Sequence, residues 1–135
     1  MAINFNHTIV WARDNEASAR FLAQILGLPA PKRWGPFMVV MTDNGANIDF
    51  MNADGEIAPQ HYAFLVSESE FDEIFGRVRE RALPYWADPV QTEGGDINSR
   101  RWTRILFRGS QWALLGGHHS PLWQWRLESV MACFC

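Results

Sequence analysis

Two histidines and one aspartate carry the chemistry that this chain could perform. His7 opens the apolar run Thr8-Ile9-Val10-Trp11-Ala12, His61 opens Tyr62-Ala63-Phe64-Leu65-Val66, and Asp49 sits inside Asn47-Ile48-Asp49-Phe50-Met51. In strand alternation His7 shares a face with Phe5, Ile9 and Trp11, His61 with Ala63 and Leu65, and Asp49 with Asn47 and Met51. An imidazole or a carboxylate directed inward from a half-buried strand is costly unless something satisfies it. Two imidazoles and a carboxylate from three strands can form the facial set that binds a divalent first-row metal and leaves positions open for water or substrate. Such a set accepts Fe, Mn, Ni or Zn alike. The competing assignment is a hydrogen-bonded core residue for either histidine and a solvated strand residue for Asp49, and for one strand histidine alone that assignment is the commoner. What favours ligation is that the placement is used twice.

The elements that would position these groups repeat as well. After the first strand, Asp14-Asn15-Glu16 opens a helix with Ala17, Phe21, Leu22, Ile25 and Leu26 on its apolar face, ended by Gly27-Leu28-Pro29. After the second, Ser67-Glu68-Ser69-Glu70 opens a helix with Phe71, Ile74, Phe75 and Val78, stopped by Leu83-Pro84. Between them, Pro29-Ala30-Pro31 begins a loop, and Phe37 to Thr42 and Ala46 to Met51 read as strands joined by the hairpin turn Asp43-Asn44-Gly45. The second half continues with a short extended Tyr85-Trp86-Ala87, a Gly-rich loop from Thr92 to Asn98, and the apolar segments Ile105-Leu106-Phe107 and Trp112-Ala113-Leu114-Leu115. If those two segments are strands, the second module matches the first. A unit used twice points to duplication.

Composition narrows the function. At 135 residues the chain reads as one domain with enough length for a core. A formal charge of −3 with scattered Lys and Arg lacks the basic stripe of a nucleic-acid binder. No apolar run approaches the ~20 residues of a membrane span, and Met1-Ala2-Ile3-Asn4 is unlike a signal peptide, so a cytoplasmic protein without membrane contact is expected. Cys133 and Cys135, at the very end, suit neither a disulfide framework nor a zinc motif.

Asn6-His7-Thr8-Ile9-Val10 with Asp14 and the helix end Leu26-Gly27-Leu28 resembles the opening of a vicinal oxygen chelate (VOC) protein, and His61-Tyr62-Ala63-Phe64-Leu65-Val66 resembles the start of that family's second module. The superfamily includes glyoxalase I, extradiol dioxygenases and bleomycin-resistance proteins. The resemblance implies an α+β fold of two βαβββ modules forming a cup-shaped sheet, module one at about 3–52 and module two from about 60, with coverage good through residue 98. It implies a divalent metal in the cup and a small-molecule substrate chelated through adjacent oxygens. It also allows a homodimer, since the family often pairs modules between chains. His7 and His61 match the two module-opening ligands, and Asp49 falls where glyoxalase I has a glutamate.

From Ser99 to Cys135 the family pattern is missing, including the glutamate that ends it on the final strand, so the second module is open to being incomplete. This stretch holds four of the seven Trp and finishes in Cys-Phe-Cys. Joining the last two bases of each codon from Ser99 onward to the first base of the next, with free choice only among synonymous codons, allows the reading RGGGRGFYFEDPSGHFLEVITRPYG, the alternative being a genuine divergent tail. It carries the missing motif nearly in full, and its glutamate spans the codons of Gly116 and Gly117. Tryptophan has a single codon, so Trp102, Trp112 and Trp123 each force a glycine in the displaced frame, all three where the motif wants one. Residues 99–135 are therefore expected to be out-of-frame closing strands followed by a disordered tail from roughly Gly116. His118-His119 then has no metal-binding role.

Three functions follow as expectations. One is a metal-dependent lyase, isomerase or dioxygenase with His7, His61 and Asp49 as ligands and Trp34, Phe37, Tyr62 and Trp86 lining an apolar cleft. Another is a metal-free drug- or metabolite-binding module of the bleomycin-resistance type, against which the two histidines argue. A third is an inactive frame-shifted product of an ancestral enzyme.

Overall fold

A computed structural model describes residues 2–58, 60, 62–83, 85–86, 104–107 and 130–134. The chain divides into two compact units, Met1–Ala58 and Pro59–Cys135. Each reads strand, helix, three strands, so the α+β class and the βαβββ element order expected from the sequence are both present.

In the first unit β1 (His7–Ala12) is followed by α1 (Asn15–Leu26), β2 (Lys32–Trp34), β3 (Phe37–Met41) and β4 (Asn47–Asn52), and the sheet order is β1-β4-β3-β2. β4 runs parallel to β1 and antiparallel to β3. α1 forms because Asp14 caps it, its side chain accepting from the Ala17 amide at 2.9 Å, and it ends because Gly27 takes the left-handed conformation at φ 73°. Its buried stripe is Ser18, Ala19, Leu22, Ala23 and Ile25, with Asn15 at its start. That stripe is rotated from the expected one: Ala17 is exposed and Phe21 half-buried, because the side that meets the sheet is set by the 15-18-22-25 spacing. It covers Met38, Val40, Ile48 and Phe50, all buried. Asn15 fixes the helix start to the sheet, donating through Nδ2 to the Pro36 carbonyl at 2.9 Å and through its amide to Asn52 Oδ1 at 2.7 Å.

In the second unit β5 (Tyr62–Val66) leads into α2 (Glu68–Glu80), then β6 (Tyr85–Trp86), β7 (Arg104–Phe107) and β8 (Val130–Phe134), with sheet order β5-β8-β7-β6. Ser67 and Glu70 form a reciprocal capping box, and Phe71, Ile74 and Val78 are the buried stripe. Phe75 meets Tyr85 edge-on at 5.1 Å, tying α2 to β6. The expected strand at Trp112 to Leu115 lies outside the described residues. The expected disordered tail is corrected in part: Val130–Phe134 forms a strand between β5 and β7. An uncharged five-residue segment, Val-Met-Ala-Cys-Phe, can complete a ladder whatever its origin, since backbone groups supply the bonds. Cys133, given no role in the sequence reading, pairs there with Ala63 and Leu106.

Candidate functional site

Pairing fixes which side chains share a face. In the first sheet the even-numbered residues of β1, β3 and β4 face α1, which leaves His7, Ile9 and Trp11, then Asn47, Asp49 and Met51, then Phe37, Val39 and Met41 on the opposite, open face. Trp34 pairs with Phe37 and joins this face from the edge, their rings stacked at 6.1 Å.

Asp49 occupies the middle of this face. Ile9 on β1 and Val39 on β3 are its register partners, so apolar neighbours flank the carboxylate on both sides. It is only 7% exposed, and its Oδ1 is buried with no hydrogen-bond partner among the described residues. A buried polar atom left unpaired costs about 1–3 kcal/mol, which singles the position out from ordinary strand residues.

His7 lies on the adjacent strand, its register partner Asn47 standing two residues before Asp49. The sequence reading expected an inward imidazole; instead His7 is exposed, because α1 covers the other face of β1. Its Nδ1 lies 2.7 Å from Asn6 Oδ1. Donation from Nδ1 to that amide oxygen would leave the Nε2 lone pair for a ligand. An acceptor on one ring nitrogen is the arrangement that orients a metal-binding histidine. Sequence reading missed this role of Asn6, although its signal, an amide directly before the strand histidine, was present.

The structure thus brings His7 and Asp49 to one sheet face, while His61 lies outside the described residues. Among the described residues no group of three or more His, Cys, Asp or Glu is close enough to hold a metal ion. The chemistry of the pair nevertheless fits a divalent first-row ion, with a carboxylate oxygen that has no partner among the described residues and an imidazole on the same face. The set is partial. Of the expected cleft residues, Trp34 is 70% exposed and Phe37 half-buried. Tyr62 is half-buried; burial pushes its phenol above the usual range, and the hydroxyl donates to Gln60 Oε1 at 2.7 Å. The side chain of Trp86 lies outside the described residues. No helix among the described residues is long and apolar enough to cross a membrane.

A βαβββ unit used twice, with a histidine and a carboxylate on an open sheet face, is the architecture of a vicinal oxygen chelate domain. The chain belongs to the Glyoxalase/Bleomycin resistance protein/Dioxygenase superfamily, whose family model matches residues 4–109. Among solved structures it is similar to "Oxidase ChaP-H1", with 47% identity, 99% of this chain and 97% of that chain covered, and a TM-score of 0.78. It is also similar to "Oxidase ChaP-H2", with 41% identity, 100% and 95% of the two chains covered, and a TM-score of 0.77. No curated protein matches it.

Proposed function

We propose that the chain is a metal-dependent enzyme of the oxidase or dioxygenase kind, acting on a small oxygenated substrate. The observation that carries this reading is the buried, unpartnered Asp49 Oδ1 on the face that also presents His7. The similar solved structures, both named oxidases, favour oxidative chemistry over lyase or isomerase chemistry. His7 and Asp49 would hold the ion, which would supply Lewis acidity to a chelated substrate oxygen. Asn6 holds the His7 tautomer. Ile9 and Val39 keep water from the flanks of the carboxylate and so strengthen its electrostatic interactions. The stacked Trp34 and Phe37 offer a flat apolar surface to a substrate ring.

Manganese titration tests this. With the full chain stripped by chelator and free Mn(II) counted by electron paramagnetic resonance, one saturable site is expected. His7→Ala and Asp49→Asn should each weaken it by about tenfold or more. Absence of a saturable site, or one indifferent to both substitutions, refutes the metal reading. One observation supports a second reading, a metal-free binding module of the bleomycin-resistance type: the open face is largely apolar, with Ile9, Trp11, Trp34 and Met41 exposed on or beside it. Quenching of tryptophan fluorescence by a planar aromatic ligand, unchanged by chelator, would favour that module.

A further inference from the structure

The open face of the first sheet continues past Asp49 to the edge strand. Lys32 pairs with Val39, Val39 with Asp49 and Asp49 with Ile9, so a single cross-strand row holds both a cation and the buried carboxylate. Trp34 shares a face with Lys32 by alternation, and its stack on Phe37 makes that face the open one. Neighbouring strands lie about 4.7–4.9 Å apart, which sets Lys32 roughly 9.5 Å from Asp49 along the row. Two steps of strand separate Lys32 from Trp34, roughly 6.6 Å. A cation, a stacked aromatic pair and a carboxylate therefore mark out one surface.

The two charges do not neutralise one another. Among the described residues Lys32 takes part in no ion pair, Asp49 Oδ1 has no partner, and Val39 stands between them. Arg33, next in the chain, is placed differently. Its register partner is the buried Met38 on the α1 side, and its guanidinium reaches Glu16 of α1 at 3.3 Å. The edge strand thus commits one cation to the helix and leaves the other on the open face. A lysine can lay its flexible stem along an apolar neighbour such as Val39 while its ammonium meets an anion.

We propose that Lys32 selects and orients an anionic substrate, a planar aromatic carboxylate whose ring lies on Trp34 and Phe37 and whose acid group pairs with the Lys32 ammonium. The inference rests on the reading of this face as the substrate site and deepens it in one respect. Because Lys32 and Asp49 stand two strand spacings apart, the acid group belongs to the end of the substrate remote from the oxygens that an ion would chelate. A lysine that merely protects a sheet edge from pairing with another chain would act differently. It would not distinguish an acid from the corresponding neutral amide.

Isothermal titration of the full 135-residue chain in chelator, with 2-naphthoate and with 2-naphthamide, tests this. The two ligands share a ring system and differ in charge. The wild type should bind the naphthoate about fivefold more tightly, the upper end for a solvent-exposed ion pair, and the preference should shrink as salt is raised. Lys32→Gln should bind both ligands equally, at the wild-type affinity for the amide, whereas Lys32→Arg should keep the preference. Trp34→Ala should weaken both ligands alike. Failure of either ligand to bind the wild type, equal binding of the two by the wild type, or a preference that survives Lys32→Gln overturns the proposal. The manganese titration contains no naphthoate and this titration no free metal, so either can fail while the other holds.

Discussion

Asp49→Leu should make the metal-free chain more stable while removing its capacity to bind an ion. Leucine has the branching of aspartate with methyl groups in place of the two oxygens, so the substitution removes polarity with little change of shape. Asp49 is 7% exposed between Ile9 and Val39, and its Oδ1 has no partner among the described residues. Relieving one unpaired buried atom is worth about 1–3 kcal/mol. The strand preference of leucine over aspartate adds to this, within a scale spanning ~1 kcal/mol, and the larger methyl groups take some of it back as crowding. A net gain of about 1–2 kcal/mol, divided by a urea slope of about 2 kcal/mol per molar, raises the unfolding midpoint by roughly 0.5–1 M. The assay is urea unfolding followed by tryptophan fluorescence with chelator in both samples, because an ion bound only to the folded wild type would hide the difference. Asp49→Asn is the control. It keeps buried polar atoms in the same place and should gain nothing. A midpoint that falls with Asp49→Leu by as much as it is expected to rise would show that the carboxylate is satisfied in the folded chain, and the reading of this face as an ion site would lose its support.

Three further outcomes test other parts of the structure. Asn6→Ala frees the His7 ring from its acceptor, so Mn(II) affinity should fall about 10–100-fold, and nitrogen NMR should show a mixed tautomer in place of one protonated at Nδ1. Ala82 holds φ 50° just beyond the end of α2, a conformation that suits glycine, so Ala82→Gly should raise stability by about 0.5–1 kcal/mol in the same urea assay. Ser67→Ala removes the cap of α2 and should cost about 1 kcal/mol. Hydrogen bonds from the Ser67 amide and hydroxyl hold the Glu70 carboxyl below its ordinary value of 4.5. A carboxyl with a lowered folded-state value contributes stability above the ordinary value and loses it as pH falls through the lowered one. The gap between wild type and Ser67→Ala should therefore narrow as pH is taken below that ordinary value.

Much of the fold was legible in the sequence, because periodicity and caps are local. Asp14 and Gly27 bracket α1, Ser67 and Glu70 open α2, and the alternation of β4 placed Asp49 with Asn47 and Met51 on one face. β2 was not legible: Lys32, Arg33 and Trp34 are all exposed, so burial imposes no period-two pattern on them. Nor was the exposure of His7, since a strand's two faces are equivalent until a helix covers one. The unpartnered state of Asp49 Oδ1 depends on Ile9 and Val39, which are distant from it in sequence. β8 escaped for a different reason, because Val130–Phe134 follows 22 residues with no periodic signal and enters its sheet by long-range pairing alone.

Each unit breaks one local rule, and the two breaks differ in kind. Asp49 sets a carboxylate among apolar strand neighbours, which opposes both burial and strand preference. Such a violation persists where function compensates for it, and a histidine in a ligating tautomer on the same face is the compensation on offer. β8 reverses the polarity that the same element order produces in the first unit. A break with a chemical return is what selection leaves at a site. The first unit is therefore where substitutions should change ion binding.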